Sequence, residues 1–552
     1  LLYGKKPSIH NRFNPMKASR LFAFFLVSIC WLWTMVFWIG TLFVPLGFIV
    51  VQLQPGESGW YSLFFDPILL ETVRFTVWQA LWSTGISGGI GLGLGLYLGQ
   101  MRFGKAAILS RFLLSLPYGV PTVVASVAWV SWLGRSGIFA QLGWNLDLAY
   151  SPWAVILAHV FFNVPLVALL VAQARERVVG EELEIAQTLG SGFFSQLRWV
   201  IWPRIRWAFL SACSQVFVLC TMSFILVLIL GGGPPVQTLE TEIYSRLRLG
   251  SFDLAGASVV AIWELIITLL PWLLVLWLQG RQRQIGSERV TRIKTIQMSW
   301  IAKMGVVFIG LFWIIPYLVI FTPRSFHFLF DSSWRTQLMK PIWVSFQIAG
   351  LTAAIAVTTA LSASFSLRTL RKTRPGLHRI VNSLLALPGG VSILVLSLGL
   401  WFAYGRWVDP FDGSLILIAV LQAALFVPLA VKIFWPLTES ERTSELEVAR
   451  LLGASDFRAF FLVEWPRWRG PLLTAWTTVM GASLGEVGAV SLFYSENRIP
   501  LPLFISRWMS QYRFEEAQLV GGILFLMSSF AIVVSFYLLP RSKGESSYEF
   551  IP

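Results

Sequence analysis

ARERVVGEELEIAQTLGSGFFSQLRWVIWPRIRW, residues Ala174–Trp207, returns later in the chain as TESERTSELEVARLLGASDFRAFFLVEWPRWRG, residues Thr438–Gly470. Gly190 and Gly453 stand 263 residues apart, and so do Pro203 and Pro466. Pro165 in FFNVPLVALL and Pro428 in ALFVPLAVKI keep the same spacing. Further upstream, Pro117 in LLSLPYGV matches Pro388 in LLALPGGV at a spacing of 271, so a loop between these anchors absorbs the eight-residue difference. Several anchors in one order and nearly one register define an internal duplication.

The surroundings of the repeat are those of a membrane protein. Hydrophobic residues make up 56% of the 552 and charged residues 13%, and the mean hydropathy is +0.69. A soluble chain of this length needs more polar surface to cover its core. Apolar runs long enough to cross a hydrocarbon layer of about 30 Å recur throughout. They predict an all-α polytopic fold of about twelve transmembrane helices, arranged as two homologous six-helix halves. The expected spans lie near 21–51, 70–99, 108–133, 152–174, 206–230 and 255–279, then 299–322, 341–367, 379–404, 414–437, 470–493 and 518–540. The halves are read as 21–280 and 299–540, with a basic linker at 281–298, an N-terminal segment at 1–20 and a tail at 541–552. The chain opens on Leu1, and Met16 offers a second start, so the first fifteen residues receive no role.

The net charge of +15 does not imply nucleic acid, because Lys and Arg alternate from loop to loop between the spans. Basic clusters such as Arg281/Arg283/Arg289/Arg292 and Arg368/Arg371/Lys372/Arg374 alternate with mixed or acidic loops. That positive-inside pattern places both termini in the cytoplasm of a bacterial inner membrane, multi-pass protein. Cys30, Cys213 and Cys220 lie within apolar runs and read as small core residues rather than metal ligands or a disulfide framework. GQMRFGKA at 99–106 lacks the Ser or Thr of a phosphate-binding loop and joins two membrane helices. Neither a nucleophile–base constellation nor metal-ligand spacing appears, so neither a catalytic residue nor a metal site is expected. Glycines at 85, 89, 91, 95 and 99 predict close helix packing along the second span.

Each repeated loop reads as a short Glu- and Ala-bearing helix, a glycine turn and a second short helix ending at proline. The second helix mixes aromatic and basic residues, Phe193, Phe194, Arg198 and Trp199 in one half and Phe457, Arg458, Phe460 and Phe461 in the other. Exposed aromatics at helical spacing fit a groove on a partner.

The pattern Glu-x-Ala-x-x-x-Gly, with proline thirteen residues after the glycine, resembles the cytoplasmic loop signature of ABC importer permeases. It rests on Glu184, Ala186, Gly190 and Pro203, and on Glu447, Ala449, Gly453 and Pro466, with Ile185 and Val448 in place of the usual first alanine. PWAVILAHVFFNVPLVALL (Pro152–Leu170), LGGGPPVQTLETEIYSRL (Leu230–Leu247) and SLGEVGAVSLF (Ser483–Phe493) are similar to the fused permeases for thiamine and ferric iron, and the first two, with VRFTVWQALWS (Val73–Ser83), are closest to the thiamine permease. The resemblance implies coupling loops that dock into an ATPase, two ATPase copies per duplicated chain and a periplasmic substrate-binding protein. ATP is then consumed by the partner, and this chain binds no cofactor of its own. Ferric iron is the alternative cargo, and an ion-gradient-driven secondary transporter is the alternative of another class. The latter needs several ionisable groups at mid-membrane, where the sequence offers little beyond Glu264.

Gly231, Gly232, Gly233 and Pro234 cannot continue a helix, so the fifth span is expected to end there and expose a loop over 236–253. With Glu240, Tyr244, Glu264 and Glu486, these residues are the candidates for the translocation path or for contact with the binding protein.

Overall fold

The computed structural model describes residues 15–52, 60–100, 105–135, 137–144, 148–178, 180–250, 252–285, 300–321, 332–407, 409, 414–439, 445, 448–449 and 451–538. Most of the N-terminal segment, the linker from 286 onward, the C-terminal tail and Glu447 lie outside them.

The first half opens with α1 (Pro15–Trp38), which continues through one π turn into the helical stretch Val44–Val51. There follow α2 (Pro67–Leu98), α3 (Lys105–Gly119), α4 (Thr122–Leu133) and α5 (Pro152–Glu176). The repeated loop contains α6 (Gly180–Thr188) and leads into α7 (Trp202–Thr221); α8 (Ile225–Gly231), α9 (Leu239–Tyr244) and α10 (Leu254–Ile285) complete the half. The second half runs through α11 (Trp300–Phe312), α12 (Ser332–Thr373), α13 (Pro375–Leu385), α14 (Ile393–Tyr404) and α15 (Leu415–Glu439). It ends with α16 (Trp465–Leu484), α17 (Gly488–Phe493), α18 (Leu501–Ser510) and α19 (Phe514–Leu538). Described residues form helices and turns, with a single isolated β-bridge between Gly233 and Val236.

The duplication is visible in the helix ends. α5 and α15 begin and end at the same spacing that separates Gly190 from Gly453. So do α7 and α16, and even the π turns Leu197–Ile201 and Phe460–Glu464. α4 and α14 hold the wider upstream spacing, that of Pro117 and Pro388, at both ends. A π turn keeps one extra residue in the helix, and its recurrence in both halves marks it as part of the design.

Among the described residues, six helices are long and apolar enough to cross a membrane, or seven if the bent pair running from Phe193 to Gly231 is one span. Four expected spans are broken, and one of them supplies the Thr122–Gln141 helix among the six. The span near 108–133 divides at Gly119–Pro121, and its repeat divides at Pro388–Gly390. The span near 206–230 bends by 62° after Thr221, and its repeat breaks at Gly485–Val487. Proline and glycine within an apolar run remove a backbone hydrogen bond or leave the helix under-stabilised, and neighbouring helices then satisfy the freed groups. Hydropathy alone does not register such breaks.

The halves exchange their first helices. α1 packs on α12, and its continuation packs on α14; α11 packs on α3 of the first half in return. Hydrogen bonds tie the exchange: Trp33 Nε1 donates to Thr359 Oγ1 at 3.1 Å and the Tyr404 hydroxyl to the Gly40 carbonyl at 3.0 Å. On the other side Trp313 Nε1 donates to the Phe161 carbonyl at 2.8 Å, and Trp132 Nε1 to the Pro316 carbonyl at 3.1 Å. Each indole satisfies its one donor across the exchange, and Trp313 also buries its ring. The result is one shared core rather than two bundles side by side.

The glycine stripe of α2 packs at only part of its length. A Cβ at Gly91 would lie 2.5 Å from Val167 Cβ, at Gly95 2.7 Å from the Ala168 carbonyl, and at Gly99 2.5 Å from Arg175 Cβ. These three let α2 approach α5 closely. Gly85 and Gly89 meet nothing within 4 Å, so the packing role expected of them is not theirs.

Candidate functional site

The repeated loops present one device twice. In the first, Gly190 closes α6 at φ +76°, its N–H donates to the Gln187 carbonyl at 2.9 Å, and the Ser191 N–H reaches the Ala186 carbonyl at 3.0 Å. This six-to-one closure with a left-handed residue is a Schellman motif, which glycine adopts without a Cβ penalty. In the second, Gly453 stands at φ +84° and the Ala454 N–H donates to the Ala449 carbonyl at 3.0 Å. The alanine four residues before each glycine is thus the acceptor of the helix-ending bond, which comes from the residue after the glycine. Pro203 and Pro466 are the second residues of α7 and α16, directly after the π turns Leu197–Ile201 and Phe460–Glu464.

Glu184 is exposed and does not clamp the loop. Glu182 does so, through an ion pair with Arg204, and Glu445 pairs with Arg467 at 3.2 Å in the second loop. Both members keep the spacing of the loop glycines from their counterparts, and that shared register is the signal by which the sequence could have revealed them. Large apolar side chains crowd the loop surfaces. Leu189 and Phe194 are each 81% exposed, Trp199 70%, Leu451 86% and Leu452 82%. Matching apolar patches in both halves mark a surface built for contact.

The helix breaks meet at the centre. A Cβ at Gly485, in the α16–α17 break, would lie 2.8 Å from Pro121 Cβ in the α3–α4 break. Gly389 and Gly390, before α14, admit the Trp272 ring of α10, whose Nε1 donates to the Ala386 carbonyl at 2.9 Å. Glu486 sits at the α16–α17 break. One carboxylate oxygen accepts the Gly488 N–H at 2.5 Å, and the other accepts Gln422 Nε2 at 3.0 Å. Gln422 is itself held by Thr352 at 3.1 Å and Ser483 at 2.5 Å. His159, the residue corresponding to Gln422, is buried in α5 and faces Ser83 Oγ at 3.5 Å.

The stretch over 236–253 is no exposed loop. Leu239, Ile243 and Leu247 recur every fourth residue, form one face of a helical segment and are buried in the core. The Leu239 N–H donates to Thr76 Oγ1 at 3.1 Å, anchoring α9 to α2. Glu240 is 1% exposed, and Tyr244 is half-buried, packing against Phe224. Gly231 backs onto Val236; Gly232 and Gly233 take φ +73° and +98°, and Pro234 is exposed at the turn. Glu264 lies fully buried in α10, nearly three turns after the helix begins at Leu254 and so about 15 Å along it. Glu240 and Glu264 stand on α9 and α10 and Glu486 just before α17, and all three helices pack on α14 beside the central breaks.

At the end away from the repeated loops, Arg248 bridges the halves. Its guanidinium donates to the Ser491 and Tyr494 carbonyls at 3.2 and 3.1 Å and lies 4.5 Å over the Tyr494 ring.

Comparison with known proteins agrees with this architecture. Residues 91–284 and 356–542 each match the family described as "Binding-protein-dependent transport system inner membrane component". The thiamine transport system permease protein of Brucella abortus (strain 2308) is 28% identical over 499 residues, covering 87% of this chain and 90% of that protein. The corresponding protein of Haemophilus influenzae is 30% identical over 495 residues, covering 86% and 89%. That of Escherichia coli (strain K12) is 26% identical over 502 residues, covering 87% and 91%. The chain belongs to the ABC importer permease family of binding-protein-dependent inner membrane components, as a protein of two fused halves.

Proposed function

We propose that this chain is the translocation subunit of a binding-protein-dependent ABC importer for thiamine or its phosphates. The observation that carries the reading is the likeness to thiamine transport permeases along nearly the whole chain, both halves included. Ferric iron gains nothing from these relatives, and membership of an ABC family removes the ion-gradient carrier.

In this reading the repeated loops each hold one ATPase copy, so one fused chain assembles with two. Both termini lie on the ATPase side, in keeping with the alternation of basic loops. A binding protein delivers cargo at the opposite end. Closing of the ATPase pair draws the loops together and rocks the halves about the central helix breaks, which alternates access to a path between them. The hydrolysed ATP belongs to the partner, and this chain supplies only coupling and passage.

The test is uptake by cells lacking the gene, with labelled thiamine and labelled ferric iron measured in parallel. Loss of thiamine uptake alone, restored by the gene, is the expected result. Loss of iron uptake alone would move the cargo to iron, and loss of neither would remove both.

A further inference from the structure

We infer that Glu240, Glu264 and Glu486 form a cation subsite between the two halves, one that receives the positively charged ring of an organic cation as it crosses. The inference rests on the thiamine reading above, since thiamine carries a permanently charged thiazolium ring.

The first ground is that two of these carboxylates are buried without partners. Glu264 is 0% exposed and neither of its oxygens accepts a hydrogen bond. Glu240 is 1% exposed; the Ser392 side chain approaches it, yet neither oxygen closes a full hydrogen bond. An unsatisfied carboxylate deep in a membrane protein is costly and persists where function requires it. A cation passing between them supplies the missing partner.

The second ground is independent of burial and comes from the repeat. Leu239 and Leu501 donate their backbone N–H groups to Thr76 and Ser345 in corresponding places, so Glu240 corresponds to Pro502. α10 begins at Leu254 and α19 at Phe514, and the position of Glu264 along α10 is that of Leu524 along α19. Leu524 is also 0% exposed. α8 begins at Ile225 and α17 at Gly488, so Glu486, just before α17, corresponds to Ser223, just before α8. At each place one half builds the same framework without an acid. The shared framework therefore forms without these carboxylates; Glu486 caps α17 and holds Gln422, whereas Glu240 and Glu264 have no such structural partner and call for another cause.

The third ground is placement. Glu240 and Glu264 belong to the first half and Glu486 to the second. α17, which Glu486 precedes, packs on the start of α14, where a Cβ at Gly488 would lie 2.3 Å from Ile393 Cγ2. α9 and α10 both pack on α14, whose N-cap is Ser392. The group thus spans the seam that opens if the halves rock. Glu486 is fixed by Gln422 and by backbone N–H groups, whereas the other two are unengaged. Among the described residues, no three carboxylates, histidines or thiols converge closely enough to hold one metal ion. An organic cation with delocalised charge can meet carboxylates that do not converge on one point.

The experiment uses the full permease with its ATPase and binding protein in proteoliposomes, reading labelled thiamine uptake and ATP hydrolysis together. Glu240→Gln, Glu264→Gln and Glu486→Gln preserve shape and remove charge. Each is expected to lower uptake at least tenfold while ATP hydrolysis stimulated by loaded binding protein stays within twofold of the unaltered complex. Glu264→Asp, which keeps the charge, should recover at least half of the uptake. Uptake within twofold for all three glutamine variants would overturn the subsite and leave thiamine as cargo. Joint loss of assembly or of ATP hydrolysis in all three would assign them a structural role and overturn it equally. If the unaltered complex carries no thiamine, the substrate reading fails first and the subsite falls with it.

Discussion

Gly190 and Gly453 carry the cleanest link from residue to function. Both adopt positive φ, and an added Cβ would meet nothing within 4 Å at either place. Substitution there costs only backbone strain, about 1–2 kcal/mol for a residue forced into the left-handed region. Gly190→Ala or Gly453→Ala should weaken ATPase docking by roughly 5- to 30-fold, with membrane insertion unchanged, as measured by titrating purified ATPase onto the permease. Gly143, at φ +84° and equally open, lies outside both loops, so Gly143→Ala is the control that leaves docking intact. Gly190→Pro should abolish docking, since the proline ring locks φ at a negative value and removes the N–H that meets Gln187. Equal docking in these loop variants would remove the coupling assignment. The glycines were legible in the sequence because only a repeat under constraint keeps them in register. The acids were less so, because Glu184 fits the motif while Glu182 makes the ion pair.

At the scale of elements, the two loops separate an electrostatic contribution from an apolar one. Arg204–Glu182 and Arg467–Glu445 are partly exposed ion pairs, worth about 0–1 kcal/mol each. Arg204→Ala should therefore reduce ATPase affinity by no more than about fivefold. Phe194 and Leu452 are more than four-fifths exposed and cost the free permease exposed apolar surface that a partner groove would cover. Phe194→Ala or Leu452→Ala should reduce affinity at least tenfold, in the manner of an interface anchor of about 2 kcal/mol. The same titration checks both, and the reverse ranking would show that the loops bind through charge. Helix existence and repeat register were legible at this scale, because hydropathy and anchor spacing report them. The breaks were not. Apolar runs continue through Pro121, Met222 and Gly485, and only packing against other helices decides where such a run bends. The stretch from Val236 to Asp253 failed for a related reason: its turn residues suggested a loop, while the four-residue spacing of Leu239, Ile243 and Leu247 was the stronger signal.

For the whole molecule, duplication was readable from spacing, whereas the exchange of first helices was not, because it rests on contacts between residues hundreds of positions apart, such as Trp33 with Thr359. That exchange makes the seam between halves part of one core, so opening requires contacts that can be released at its ends. Arg248 is such a contact. It belongs to the first half, and its two carbonyl acceptors and its stacked ring belong to the second. Hydrogen bonds from a charged donor contribute about 1.5–3 kcal/mol, so their loss is enough to shift a two-state equilibrium by a factor of ten or more. Arg248→Ala should favour separation at the end away from the repeated loops. Arg246, close by in sequence, pairs with Glu242 and Asp253 inside its own half and serves as the control. In proteoliposomes, Arg248→Ala should raise ATP hydrolysis without binding protein on the order of tenfold and lower the thiamine carried per ATP, while Arg246→Ala should leave that ratio unchanged. If both variants behave alike, Arg248 merely stabilises the fold. If Arg248→Ala alone uncouples hydrolysis from delivery, the bridge across the seam is what holds the empty transporter idle.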